Sequence, residues 1–147
     1  MVHKMQLMEV PFAGYIGIEQ HNEKTIMLRH HETVENHLQT IHAGALYTLA
    51  ESQSGLFLQR LFPALEGKVV PLLREGNMKY KRAVKDVVYA AADVSEEALE
   101  KFEMMFAKKG RGSITVSVLL KDEAGHVCAE GTFGWFVQKM EESLIDG

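Results

Sequence analysis

Asn36-His37-Leu38-Gln39-Thr40-Ile41-His42-Ala43-Gly44-Ala45-Leu46-Tyr47-Thr48-Leu49-Ala50-Glu51 runs from a polar turn into a nearly all-apolar segment that carries one carboxylate. Apolar residues recur around most of the circumference from Ala43 to Phe62, and Pro63 stops the pattern. The spacing predicts a helix over 43–62, about 27–30 Å long at about 1.5 Å per residue. A helix that is apolar on nearly every side belongs at the centre of a domain. Two readings of the segment compete. It is either a capped core helix with a satisfied Glu, or part of a site in which an acid and a helix N-terminus act on a carbonyl.

Outward from this helix the chain reads as strands. Met5, Leu7, Met8 and Val10 fall at roughly helical spacing before Pro11, which predicts a short N-terminal helix or lid within residues 1–11. Tyr15 to Glu19 and Lys24 to Arg29 flank the polar Gln20-His21-Asn22-Glu23 as a hairpin would. Leu72 to Ala83 and Val87 to Val94 read as two further strands, paired through a turn at Val84-Lys85-Asp86. Ser95 is an N-cap and Glu96 and Glu97 suit a first helical turn. Leu99, Phe102, Met105 and Phe106 then share one face until Lys108-Lys109-Gly110 ends this second helix. Gly112 to Lys121 and His126 to Gln138 are long strands around the loop Asp122-Glu123-Ala124-Gly125. Six antiparallel strands wrapped round a central apolar helix make an α+β arrangement, the hotdog fold, expected as a single domain over residues 1–147.

Composition narrows the function. A chain of 147 residues with 46% hydrophobic content can bury a sizeable core without disulfide or metal staples. Its net charge of -4 argues against a nucleic-acid surface. Cys128 is the single cysteine, and the first residues lack a signal-peptide pattern, so a cytoplasmic location is expected. No apolar run approaches the roughly 18 residues of a membrane span.

Thr48, Ser52, Gly55 and Gln59 share a helical stripe with Glu51, the wet seam of an otherwise apolar helix. The amides at the helix start, on Ala43 and Gly44, are candidate oxyanion donors. Glu51 lies eight residues beyond Ala43, about 12 Å along the axis. One helix cannot bring both groups onto the same carbonyl. A two-fold dimer with antiparallel helices can, and it makes two equivalent composite sites. A thioester suits such sparse equipment, because its leaving thiol has a pKa of about 8.5 and departs with little acid assistance. Glu51 would act as general base on water or as direct nucleophile. Asn36 would orient the water or the thioester, and His42 would bond the carbonyl or hold the turn.

Asn36, His42 six residues on, Ala43-Gly44-Ala45, and Glu51 nine after His42 together resemble the active-site segment of hotdog-fold acyl-CoA thioesterases. The phenylacetyl-CoA and 4-hydroxybenzoyl-CoA group is the nearest type. The resemblance implies a homodimer, often paired into a homotetramer, in which one subunit supplies the acid and the other the Asn, the His and the helix-start amide. It also implies an acyl-CoA substrate, with coenzyme A entering as part of the substrate and no separate cofactor. Members of that family usually carry two glycines after the His, whereas here Ala43 stands first.

Lys79, Tyr80, Lys81 and Arg82 lie on the strand that in such thioesterases runs near the nucleotide end of coenzyme A, where cations would hold phosphates. A solvated charged strand face is the plainer reading. His30, His31, His37 and His42 cluster in sequence without a metal-ligand spacing, so no metal site is expected. Cys128 sits in an alternating strand and reads as a structural thiol. The expected partner is a small-molecule acyl thioester, with no nucleic acid and no membrane. The other readings are a non-catalytic acyl-CoA or lipid-binding protein, favoured by Ala43, and an acyl-thioester hydratase or dehydratase.

Overall fold

A computed structural model of the chain describes residues 10–140. The elements are α1 (Pro11–Ile16), β1 (Glu19–Gln20), β2 (Ile26–Arg29), α2 (Ala43–Leu61), β3 (Val69–Tyr80), β4 (Val87–Asp93), α3 (Glu96–Lys109), β5 (Arg111–Asp122) and β6 (Val127–Lys139). The strands form one antiparallel sheet in the order β1-β2-β4-β5-β6-β3. Helix α2 lies in its concavity and touches every strand from β2 to β6. This is the hotdog fold.

The alternation of β5 shows how the sheet divides inside from outside. Gly112, Ile114, Val116, Val118 and Leu120 are buried toward the helix side, while Arg111, Ser113, Thr115, Ser117 and Leu119 are exposed. Helix α2 buries Leu46, Leu49, Ala50, Leu56 and Leu58 in the same core, and also three polar residues, Ser52, Gln53 and Ser54. Those three are the informative ones. Gln53 is 1% exposed, accepts from the Ile26 amide at 2.9 Å and donates to the Lys24 carbonyl at 3.0 Å. Ser54 accepts from Trp135 Nε1 at 2.9 Å and donates to the Glu51 carbonyl at 2.7 Å. The sheet is thereby tied to one helix one strand in from each edge, at β2 through Gln53 and at β6 through Ser54. Gly55 follows the same logic, since a Cβ there would stand 3.2 Å from the Trp135 ring.

Helix α3 is capped by the Ser95 hydroxyl, which accepts from the Ala98 amide at 3.1 Å, and ends at Gly110 with φ 71°. It buries only Phe102, whose ring stacks on Phe62 and Phe106 with centroids 4.9 and 5.6 Å away and closes the C-terminal end of α2. Gly125, at φ 85°, turns the β5–β6 hairpin.

The structure departs from the sequence reading in three places. Pro11 opens a helix rather than ending one, because its fixed φ suits the first helical turn, and Gly17 at φ 85° ends that helix. Tyr15 and Ile16 are therefore helical, and the expected strand shrinks to Glu19–Gln20. Of the N-terminal helix or lid expected within residues 1–11, residues 1–9 lie outside the described residues. Strands β3 and β4 do not pair. Beyond Tyr80 the chain is held by Lys81 and Arg82 amides donating to the Cys128 carbonyl, and by the Val84 carbonyl accepting from Ile41. It reaches β4 on the far side of β5 and β6, which leaves β3 as an edge.

Replacing Gln53 by Ala should cost about 3 kcal/mol, since it strands a buried backbone amide and carbonyl together. Urea denaturation measures this; a loss under about 0.5 kcal/mol would show that the carboxamide is not the tie.

Candidate functional site

The site begins at the exposed start of α2. The loop from Asn36 to Thr40 is built by the Asn36 side chain, whose Oδ1 accepts the Leu38 and Thr40 amides at 2.9 and 3.0 Å while Nδ2 donates to Thr40 Oγ1 at 2.7 Å. Gln39 takes the left-handed conformation at φ 57° within it. His42 is the N-cap, and its Nδ1 accepts from the Gly44 amide at 2.8 Å. Accepting an amide requires a bare Nδ1, so a neutral His42 carries its proton on Nε2 and offers a donor there. Gly44 has no side chain to crowd this ring, since a Cβ would sit 3.0 Å from His42 Nδ1.

The cap divides the two amides proposed as oxyanion donors. Gly44's is already spent on His42, whereas among the described residues nothing accepts from the Ala43 amide, and Ala43 is exposed. The Ala43 carbonyl accepts from Tyr80 Oη at 3.2 Å, which ties the helix start to β3. Tyr47 packs one turn further along, over Gly76 of β3 and edge-on to Phe133 with centroids 5.4 Å apart. A β-carbon on Gly76 would collide with the Tyr47 hydroxyl.

Glu51 is half-buried on the side of α2 that faces β3. Burial pushes its carboxyl above the ordinary carboxylate value, and a hydrogen bond to Ser52 partly opposes the shift. Glu51 lines a cavity of about 400 Å³ between α2, the start of β3 and β6. Ser52, Gly55 and Gln59 from the predicted stripe also line it. Thr48 does not; its hydroxyl donates to the Gly44 carbonyl at 2.9 Å. Leu56, Phe62, Val69 and Trp135 form apolar walls that sequence reasoning did not assign. Gly55 was the available signal: a glycine inside a long apolar helix costs about 1 kcal/mol against alanine, and it marks a close approach.

The basic cluster is split by strand alternation. Tyr80 faces the helix, but Lys79 lines a shallow groove on the outer face of the sheet with Asn77, Ser117 and Glu130, and Lys81 pairs with Glu130 at 3.1 Å. Arg82 follows the end of β3, with its amide on the Cys128 carbonyl. None of the three cations lines the cavity beside Glu51. The histidines are dispersed too. His30 Nε2 lies 3.1 Å from a Glu35 oxygen, an electrostatic contact too poorly aligned to satisfy that buried nitrogen, and His31 Nε2 lies 2.8 Å from the Ile16 carbonyl. Among the described residues no three His, Cys, Asp or Glu side chains gather as metal ligands. Cys128 is fully buried, and that burial raises its thiol pKa. Among the described residues no helix is long and apolar enough to cross a membrane.

The same fold occurs in solved structures. PA5026 from Pseudomonas aeruginosa, of unknown function and described as a probable thioesterase, aligns with a TM-score of 0.78 at 22% identity, covering 91% of each chain. BH2602 from Bacillus halodurans, solved with CoA, aligns at 0.67 and 23% identity over 86% of this chain and 74% of its own. A mutant of the thioesterase enzyme SAV0944 from Staphylococcus aureus aligns at 0.69 and 17% identity over 88% and 99% of the two chains. No curated protein matches the chain. Residues 3–137 match the family described as "Domain of unknown function (DUF4442)", and the chain belongs to that family.

Proposed function

We propose that the protein is a thioesterase that hydrolyses an acyl-CoA or a related acyl thioester, acting as a homodimer. The observation that carries this reading is Glu51, a half-buried residue with a raised carboxyl pKa that lines a mostly apolar cavity. The thioesterase names of PA5026 and SAV0944 and the CoA held by BH2602 support it. In this scheme the Glu51 carboxylate takes a proton from water, and the hydroxide attacks the thioester carbonyl carbon. The oxyanion is met by the Ala43 amide of the second subunit, with His42 Nε2–H as a further donor. Collapse breaks the C–S bond, and the proton held by Glu51 passes to the departing thiolate. Direct attack by Glu51 would instead give an anhydride that water opens. The chemistry draws only on protein groups and water. Asn36, with both side-chain polar atoms engaged in its loop, serves by holding the approach to His42.

A dimer is supported by geometry. Helix α2 is continuous from Ala43 to Leu61, so its own amide and carboxylate stay about 12 Å apart along the axis. Strand β3 is a long edge, twelve residues with Leu72 and Tyr80 about half exposed, and its outer side is a template for a second β3. Pairing two such edges would lay two α2 helices side by side. A non-catalytic acyl-CoA-binding protein is the second reading, favoured by the capped Gly44 amide and the Ala43 methyl, which leave a single backbone donor. An acyl-thioester hydratase is separated from both by whether free thiol appears.

Glu51→Ala should abolish thiol release from a panel of acyl-CoA thioesters while leaving the thermal unfolding transition in place; retained activity would refute the mechanism. Because only the ionised carboxylate is a base, activity in the native protein should fall as pH drops, with a midpoint above the roughly 4.3 of an unperturbed Glu. A pH–rate profile of kcat/KM reads it, and a midpoint at or below that value would contradict a buried catalytic acid.

The composite site has its own test. Ala43→Pro removes one amide proton at a position where proline suits the first helical turn, and the His42 backbone at ψ 138° accepts a following proline. That variant and Glu51→Ala should each be inactive. Mixing them after dissociation should restore about a quarter of the activity, since half the dimers are mixed and each has one intact site of two. No recovery, or an active monomer by light scattering, would remove the dimer.

A further inference from the structure

We propose that the Gln59–Glu66 pair ends an acyl channel fitted to an unbranched aliphatic chain of about ten carbons, an inference that rests on the thioesterase reading of Glu51. The cavity is lined mostly by apolar side chains, and its polar lining residues on α2 fall at two levels about two helical turns apart. Glu51 and Ser52 stand at one level; at the other, Gln59 Nε2 donates to Glu66 Oε1 at 3.3 Å. On α2, Gly55, Leu56 and Leu58 lie between these levels, and Phe62, Val69, Trp135 and Val137 complete the apolar lining.

Length sets the occupant. Gln59 lies eight residues beyond Glu51 on one unbroken helix, about 12 Å along the axis. An extended alkyl chain advances about 1.3 Å per carbon, given a C–C bond of about 1.5 Å, so this interval takes about nine carbons. The cavity volume of about 400 Å³ leaves room for a chain of that length. A single aryl ring would leave much of this length empty. Glu66 is exposed, so methylenes that pass the Gln59–Glu66 pair approach solvent and gain less from burial.

The test uses the full chain carrying Glu51→Gln, titrated calorimetrically with saturated acyl-CoA thioesters from four to sixteen carbons, beside thiol release by the native protein. Kd should fall by up to about fourfold for each buried methylene and level off near ten carbons. Adding Gln59→Trp should move the plateau to shorter chains, and adding Gln59→Leu should move it to longer ones. Affinity independent of chain length, as when the chain's own ends fill the cavity, overturns the proposal. So does a rise unbroken to sixteen carbons, or a plateau that neither substitution at Gln59 moves. Plateaued binding with no thiol release by the native protein keeps the channel and removes the thioesterase. Thiol release with no length dependence in binding does the reverse.

Discussion

The rotation of α2 about its own axis depends on one side chain. Gln53 is buried with both polar atoms engaged by the backbone around β2, so that side of the helix is committed to β2. Glu51 is two residues earlier, about 200° round a helix that turns about 100° per residue, and so must face away from β2 toward β3. A carboxamide does this better than an apolar residue. Leucine would fill the space from several rotations, whereas an amide that must both donate and accept has one productive setting. Ser54 and Trp135 make the same kind of tie to β6 and remove the remaining slack. The placement of the candidate base thus follows from buried hydrogen bonds that take no part in the chemistry.

The cavity beside Glu51 is a consequence of the same packing. Gly55 lets the Trp135 ring come against the helix backbone, and the indole then serves as a wall beside the passage. A side chain at position 55 would require the Trp135 ring, which is bonded to Ser54, to give by a few tenths of an ångström, so the groove and the helix position are coupled. The raised carboxyl pKa belongs to this arrangement as well. Glu51 is shielded because its neighbours are packed, and the cavity is apolar for the same reason. At the helix start the reverse holds: Ala43 and His42 are exposed, and an amide there keeps its donor for whatever approaches from outside.

Much of this was legible in the sequence, and what was missed has more than one cause. The span of α2, the Ser95 cap, the Gly110 stop and the Asp122–Gly125 turn are local features, readable from residues within a few positions of one another. The stripe of Ser52, Gly55 and Gln59 beside Glu51 is local too, because helical spacing dictates it. Strand neighbours are not local. Alternation in β3 says which side chains share a face, but nothing near Val84 says that the chain passes β6 and β5 before β4 begins. The split of Lys79 and Lys81 from Tyr80 was in principle available, since alternate residues on a strand face opposite ways. Reading the run Lys79 to Arg82 as one charged cluster overlooked that period. Pro11 shows a different ambiguity, for proline both stops a helix and starts one, and only the left-handed Gly17 six residues on decides between them.

The rigidity that places Glu51 also prevents it from acting alone. A continuous helix of 19 residues cannot fold its own N-terminus back to its middle, so in the proposed scheme the Ala43 amide, unpaired among the described residues, and the Glu51 carboxylate are two half-sites on one rod. Two copies placed antiparallel exchange these halves, and the exposed edge of β3 lies on the side of α2 that bears Glu51. Ala43 tests how far the arrangement can be reduced. His42 consumes the second amide, so the oxyanion keeps one backbone donor and the imidazole Nε2–H. A thioester tolerates this economy where an ester would not, because its sulfur leaves with little protonation and the barrier falls mainly on forming the tetrahedral oxyanion. The bond cleaved and the sparse donor set are therefore one argument: the fewer groups the helix start presents, the more the reading depends on a leaving group that needs no help.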